Sequence, residues 1–405
     1  MNRLLLHVCA AWLCVASSVM AAEPKRDGVK NEGLSQEDLA TTNKDVKGDV
    51  PFAVNASHMM LLDADTGTVL AQKHADEKMF PSSMSKLMTL YVLFDELKKG
   101  TLQLTDQFTV SEKAWAIQGS KMWVPIHGSV AVEDLIHGIA TQSGNDACIV
   151  VAEGLAGSEE AFAQRLNDTA KAIGMTGSHF VNSSGWPDEN HYTTAHDLAT
   201  LGLRLANDFP EYYHYFAVPE FTYNKIRQYN RNPLLNRASL GVDGLKTGHT
   251  EIAGYGIVLS AKHPQSGRRL ALVINGLESM KAREQEGEAL LSWGFRNFNT
   301  TLLAKAGQVV AKAPVWLGAQ DSVELSVAQD VKVTLPVTQQ GGAKAVASFD
   351  APVAAPIAQG AAIGKLLITL PSGDTREVAL LATRAVEKKG AFARIPAVMA
   401  YWLGL

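Results

Sequence analysis

The stretch "PSSMSKLMTLYVLFDELKKG", Pro81 to Gly100, sets a serine and, three residues later, a lysine at the head of a run too apolar for a surface helix. A helix is predicted from Ser83 to Leu97. Leu87, Met88, Leu90, Tyr91, Leu93, Phe94 and Leu97 spread around it rather than along one stripe, and Lys98-Lys99-Gly100 close it. Such wide apolar coverage predicts a helix buried in the centre of a domain. Residues i and i+3 share a helix face, so Ser83 and Lys86 can bring a hydroxyl and an amine within hydrogen-bond reach. A serine attacks only when a base takes its proton, and a lysine is such a base near neutral pH only when burial or another cation lowers its pKa. The apolar helix offers burial, and its N-terminus offers unpaired N–H groups to a developing oxyanion. Taken alone, the pair is weak evidence of chemistry, since a capping serine followed by a surface lysine is common.

Around this helix the chain reads as a large α/β domain. "HMMLLDADTGTVLAQKH" is a hairpin turning at Asp65-Thr66-Gly67, and "YGIVLSAKHPQSGRRLALVING" is a second strand pair around a Pro/Gly/Ser turn. Between them helices are predicted at about 131–142, 145–155, 159–173 (capped by Ser158) and 195–208 (Thr194 with Asp197 at capping-box spacing), and a last one follows at 281–298. Strands at both ends and helices between predict an α/β domain, a mixed sheet flanked by helices, over residues 51–300. Beyond it the texture changes. "VELSV", "VKVTLPV", "LLITLP" and "REVALLA" are short β-rich runs separated by Gly, Pro, Asp and Gln, which predicts a second, smaller all-β domain over 301–386.

The opening "MNRLLLHVCAAWLCVASSVMAAE" has one arginine, an apolar stretch from Leu4 to Val15 and small residues near Ala21, the layout of a secretory signal over 1–21. Its apolar stretch is short of the ~20 residues a membrane span needs. Residues 22–50 read as a polar, flexible leader. Cys9 and Cys14 leave with the signal, so the exported chain keeps only Cys148 and forms no internal disulfide. With 405 residues, 46% of them hydrophobic, the chain can bury a large core, and its net charge of −4 argues against a nucleic-acid partner.

Two further elements change the reading of Ser83. "TQSGNDA" places Ser143-Gly144-Asn145 at a break between two apolar helical stretches, and "DGLKTGHTEIAGYG" places Lys246-Thr247-Gly248 at the start of a predicted strand. Ser-x-x-Lys, Ser-x-Asn and Lys-Thr-Gly in this order resemble the penicillin-binding proteins and class A β-lactamases. Within that group "PSSMSKLMT", "SGNDAC", "SSGWPDENHYTTAHDLATL", "DGLKTGHT" and "KAREQE" are similar to the low-molecular-mass D-alanyl-D-alanine carboxypeptidases, peptidase family S11, from about residue 52 to the C-terminus.

The resemblance implies Ser83 as acylated nucleophile and Lys86 as its base. Ser143 would help relay a proton and Asn145 would bond the substrate amide. Lys246 would lower the Lys86 pKa and attract a carboxylate from the opposite wall, where Thr247 and Gly248 line the strand. Backbone N–H groups of Ser83 and His249 would form the oxyanion hole, and Arg283 would hold the substrate's terminal carboxylate. The implied reaction removes the terminal D-alanine from peptidoglycan stem peptides ending in D-Ala-D-Ala, with β-lactams acylating the same serine and no metal or cofactor involved. The rivals are a serine β-lactamase, for which no Glu-x-x-Leu-Asn follows the Ser-Gly-Asn element, and a non-catalytic wall-binding protein, which the three intact motifs disfavour. Glu189 is the nearest acidic residue and takes no base role. Cys148 reads as a buried apolar side chain, His191 and His196 as surface-loop or capping residues, and Trp186 as either a cleft border or ordinary packing.

The tail 387–405 offers Phe392, Ile395, Val398, Met399, Tyr401, Trp402 and Leu403 behind Lys388 and Lys389, with Pro396 interrupting any helix. It suits a membrane interface, or else docks on the β domain. The resemblance implies the former, on the periplasmic face of the bacterial inner membrane, with the β domain as a pedestal. Homodimerisation is left open.

Overall fold

The computed structural model describes residues 43–393 together with Ile395 and Met399. The expected signal, most of the leader, and Val398, Tyr401, Trp402 and Leu403 of the tail lie outside the described residues.

The first compact unit, ending at Arg296, is built on one six-stranded sheet. Its strands are β1 (Val46–Lys47), β2 (His58–Asp63), β3 (Val69–Lys73), β4 (Val242–Thr250), β5 (Gly254–Lys262) and β6 (Arg269–Leu277), in the order β1-β3-β2-β6-β5-β4. The expected α/β layering is present, but the sheet is not mixed as expected: every neighbouring pair in it runs antiparallel. The β2–β3 turn is made by Asp63, whose Oδ1 accepts from the N–H groups of Asp65 (3.1 Å) and Thr66 (3.0 Å), while Gly67 takes the left-handed conformation. The end of the leader is part of this sheet: Val46 pairs with Lys73, and Asn43 Oδ1 accepts from Val54 N at 2.9 Å. A two-residue strand carries too little alternation to be read from sequence.

The helices are α1 (Lys86–Lys99), α2 (Val132–His137), α3 (Asn145–Ala156), α4 (Glu159–Ala172), α5 (Ala195–Asp208) and α6 (Met280–Asn297). Every residue of α1 from Lys86 to Phe94 is buried, as its apolar coverage predicts, and Gly100 stops it in the left-handed conformation at φ 75°. Burying each Leu or Phe of such a helix stabilises the fold by about 1.5–3 kcal/mol. Ser158 Oγ accepts from Ala161 N (3.1 Å) and Thr194 Oγ1 from Asp197 N (3.0 Å), so both predicted caps form. The reciprocal half of the Thr194 box does not: Asp197 Oδ2 accepts from Gly177 N (2.8 Å) and Ser178 Oγ (2.6 Å) instead, tying a loop to the helix start. The helix expected over 131–142 also changes character, since α2 ends at His137 and Gly138–Gln142 form a π-turn. That turn delivers Ser143 in the left-handed conformation.

From Phe298 to Ala382 the described residues of the second unit form β strands with one 3₁₀ turn, Val337–Gln339. Strand Phe298–Ala304 pairs with Val331–Pro336, and a six-stranded sheet runs in the order 344–349, 362–369, 375–382, 322–326, 309–316, 353–354. Alternate residues such as Val323 and Leu325 face a core shared with Val333, Leu366, Ile368 and Leu380. In the tail, Phe392 is 89% exposed, and Ile395 and Met399 are also exposed. Among the described residues no helix is long and apolar enough to cross a membrane.

Candidate active site

The nucleophile-bearing turn precedes α1 rather than opening it. Ser82–Ser85 form a 3₁₀ turn, the N-cap of α1 is Ser85, and neither element has a side-chain cap. The reading of Ser83 as a cap is therefore overturned. Its Oγ lies 2.8 Å from Lys86 Nζ, because a 3₁₀ turn eclipses positions i and i+3.

Lys86 is fully buried and has three partners: Ser83 Oγ (2.8 Å), Asn145 Oδ1 (2.8 Å) and the Ser184 carbonyl oxygen (2.7 Å). Asn145 Nδ2 donates to Gln118 O (2.9 Å), which fixes the amide with its oxygen toward the lysine. A neutral amine has two hydrogens and one lone pair. Asn145 Oδ1 and Ser184 O can only accept, so they take both hydrogens and leave the lone pair aimed at Ser83 Oγ. Burial lowers the Lys86 pKa to about 8, with Arg231 pushing the same way and Asp146 opposing.

Arg231 is a cation near Lys86 that the sequence reading did not name, beside Lys246, which is coupled to Lys86. Lys246 is itself pushed well below its usual range by burial, then by Lys86, Arg231 and Arg283. The fold thus gathers four basic side chains whose fields overlap, a region suited to an anionic ligand. Arg231 lies in "YNRNPLL", outside every motif read from the sequence, and only the fold brings it near.

Ser143 is buried and its Oγ has no partner among the described residues, so a hydroxyl is free to donate or accept there. Beside it Asp146 holds the facing loop, accepting from the N–H groups of Met122 (2.9 Å), Trp123 (2.9 Å) and Val124 (3.2 Å). Asp146 stood in the quoted "SGNDA" and adjacency alone could have found it.

The opposite wall is β4. Lys246-Thr247-Gly248 occupy its second half, not its start. A Cβ on Gly248 would lie 2.9 Å from the Pro81 carbonyl oxygen and 3.1 Å from Met84 Cγ, so the strand backbone is pressed against the Ser83 turn and needs glycine there. Ser82 Oγ and Thr250 Oγ1, 3.0 Å apart, hold the same contact. Lys246 Nζ donates to Thr247 O (3.0 Å), and Thr247 is buried. His249 is exposed and stacks on Tyr255 with ring centroids 3.8 Å apart. The guanidinium of Arg283 sits 5.9 Å from the same ring, and its buried Nε has no partner among the described residues. Tyr255, which the sequence reading passed over as a strand residue, thus joins His249 and Arg283 in one stack.

Trp186 is 44% exposed, and its ring lies 3.2 Å from the position a Gly119 Cβ would take, where Asn145 Nδ2 also reaches. Cys148 is fully buried and burial pushes its thiol up to about 12, so it stays an unreactive thiol. His191 is not a surface residue. It is buried, its Nδ1 accepts from Val181 N (3.3 Å), and its Nε2 therefore carries the proton that is donated to Ser85 Oγ (2.7 Å). Burial holds its pKa down to about 4. His196 is exposed and pairs with Asp76 at 2.8 Å. No cluster of His, Cys, Asp and Glu suited to a metal ion is found among the described residues.

The family model described as D-alanyl-D-alanine carboxypeptidase, peptidase S11, matches residues 42–278, and that of the penicillin-binding protein 5 C-terminal domain matches 298–388. The chain is 39% identical over 350 residues to the D-alanyl-D-alanine carboxypeptidase DacC of Escherichia coli, covering 85% of this chain and 87% of that one. Among solved structures it is similar to penicillin binding protein 5 from Haemophilus influenzae, with a TM-score of 0.79 and 35% identity over 84% of this chain and 100% of that one. It is also similar to penicillin-binding protein D2 of Listeria monocytogenes in its ampicillin-bound form, with a TM-score of 0.54 and 26% identity over 60% of this chain and 98% of that one.

Proposed function

The chain belongs to the peptidase S11 family of D-alanyl-D-alanine carboxypeptidases, and from that membership we propose that it removes the terminal D-alanine of peptidoglycan stem peptides through an acyl-enzyme on Ser83. One observation carries the assignment of roles: the Lys86 amine is held between two acceptor-only oxygens with Ser83 Oγ as its third neighbour at 2.8 Å.

Ser83 Oγ attacks the carbonyl carbon of the last peptide bond as its proton passes to Lys86 Nζ. The carbonyl oxygen becomes an oxyanion held by the backbone N–H groups of Ser83 and His249. Collapse of this intermediate breaks the C–N bond, and the proton travels from Lys86 through the unpartnered Ser143 hydroxyl to the departing amine. Water then adds to the ester carbonyl carbon as one of its protons passes to Lys86, the bond from that carbon to Ser83 Oγ breaks, and Lys86 returns the proton to Ser83 Oγ, freeing the serine and the shortened peptide. Asn145 Nδ2 bonds the substrate amide, while Lys246, Thr247 and Arg283 receive the terminal carboxylate in the cationic region. The strained ring of a β-lactam enters the same route, a reading supported by the ampicillin-bound form of the Listeria protein.

The test is intact-mass spectrometry of the exported chain with penicillin, together with D-alanine release from a peptide ending in D-Ala-D-Ala and from its C-terminally amidated form. An adduct on Ser83, D-alanine from the free acid, and roughly 10-fold or greater discrimination against the amide are expected, since a charge-assisted hydrogen bond contributes about 1.5–3 kcal/mol. Penicillin turnover without D-alanine would instead assign a β-lactamase, and a folded chain showing neither would leave only a binding role.

For the tail we propose that residues 387–405 lie in an anionic membrane surface on the periplasmic side of the inner membrane, after export directed by residues 1–21. The support is Lys388 and Lys389 followed by the exposed Phe392, Ile395 and Met399. The chain should float with phosphatidylglycerol vesicles and a version ending at Glu387 should not; equal flotation of both would refute the assignment.

A further inference from the structure

Lys86 owes its orientation to a backbone carbonyl, and that carbonyl is held by a residue that touches neither Lys86 nor the cleft chemistry. The loop Asn182–Trp186 folds around the Asn182 side chain. Its Oδ1 accepts from the N–H groups of Ser184 (3.1 Å), Gly185 (2.8 Å) and Trp186 (3.1 Å), and its Nδ2 donates to the Trp186 carbonyl (3.0 Å). Three N–H donors converging on one atom, with Ser184 Oγ a fourth donor at 3.4 Å, identify that atom as the oxygen. The loop is tied down at one side by Ser183, whose N–H and Oγ donate to Glu159 Oε1 (3.1 and 2.7 Å) and whose carbonyl accepts from Thr89 Oγ1 (2.6 Å). On the other side Gly185 is pressed against Ser82. Ser184 O stands between these points and takes one of the two hydrogens of the neutral Lys86 amine.

We propose that Asn182 is a positioning residue for the acylation step, acting through the Ser184 carbonyl to aim the Lys86 lone pair at Ser83. This rests on the base–nucleophile reading given above. Without the Asn182 oxygen, three N–H groups lose their common acceptor and the loop can turn the Ser184 peptide plane. The amine then keeps Asn145 Oδ1 as its only obligate acceptor, and its lone pair can point away from Ser83 for much of the time.

The ionisable groups around Lys86 come from several elements: Asp146 and Cys148 on α3, Lys246 on β4, Arg231, and His191 and Glu159 on either side of the loop. None contacts Asn182 through a hydrogen bond found among the described residues, so a change at Asn182 reports on the loop rather than on these groups.

The experiment measures the penicillin acylation rate constant and D-alanine release across pH for the full exported chain and for Asn182→Ala and Asn182→Asp, with thermal melting in parallel. Asn182→Ala is expected to acylate about 10- to 100-fold more slowly with little change in KM, because reacting atoms are misaligned rather than binding groups removed. Asn182→Asp retains an oxygen for the three N–H groups and adds a negative charge near Lys86. It should recover most of the rate at alkaline pH while its acid limb moves to higher pH, since a nearby carboxylate stabilises the ammonium form. A purely structural role instead predicts losses in both variants that follow the fraction unfolded at every pH, with no recovery specific to the retained oxygen. Wild-type rate and pH profile in the alanine variant would overturn the proposal, as would losses in both variants that merely follow the fraction unfolded. Absence of any adduct on wild-type Ser83 would remove the base–nucleophile reading itself, and this proposal with it.

Discussion

Lys86→Met is expected to slow acylation of Ser83 by about 10²- to 10⁴-fold, the usual weight of a positioned general base, while leaving the chain folded. Methionine fills most of the buried volume and needs no partner. Its cost is the two acceptors left behind, Asn145 Oδ1 and Ser184 O, at about 1–3 kcal/mol each, offset by no longer holding an ammonium group away from water. The pH dependence separates this role from a packing one. With its pKa lowered to about 8, Lys86 is the active neutral base above that pH, so the wild-type rate falls about tenfold per unit below it and levels off above. The methionine variant should lose that limb. Stability moves in the matching sense: the folded-state pKa lies below the unfolded value of 10.5, so burying the charge costs stability in full below pH 8, and the cost is relieved as pH rises toward 10.5. Melting curves of the two proteins from pH 7 to 10 should therefore converge in this direction. Equal acylation by the variant would rule Lys86 out as the base.

Gly185→Ala carries the second large effect. Gly185 has φ +79°, and a Cβ built on it would lie 1.9 Å from the Ser82 carbonyl oxygen and 2.6 Å from its carbon. No rotamer relieves a clash between Cβ and backbone, so either the loop lifts, carrying Ser184 O from Lys86, or the Ser82–Ser85 turn shifts, carrying Ser83. Both misplace reacting groups by about 1 Å, enough for a loss on the order of 100-fold. Gly174→Ala provides the control: it has φ +91° with nothing within 4 Å, so it pays the left-handed penalty of about 1–2 kcal/mol without the clash. Activity should collapse in the first variant and persist in the second. Equal activities would show that the loop and turn yield easily, and the close approach would then have no catalytic meaning.

What the sequence determined by itself is local or periodic. The apolar coverage of α1, the caps at Ser158 and Thr194, both hairpins and the change to short β runs near residue 300 follow from spacing and turn chemistry within windows of a few to some twenty residues. The three motifs named candidates because the identities Ser, Lys, Asn and Thr-Gly survive as letters whatever the fold.

The tertiary structure decided how those letters meet. Ser83 left the helix for a 3₁₀ turn, which no periodicity distinguishes from the first turn of α1. Arg231 joined Lys246 as a cation beside Lys86, since Coulomb forces depend on distances through space that chain separation does not encode. His191 moved from an expected surface loop to a buried partner of Ser85. The acceptor that aims Lys86 is a main-chain carbonyl at Ser184. Every residue has such a carbonyl, so only the path of the backbone can select this one, and that path is set by side chains at Asn182, Thr89 and Glu159 that lie far apart in the chain.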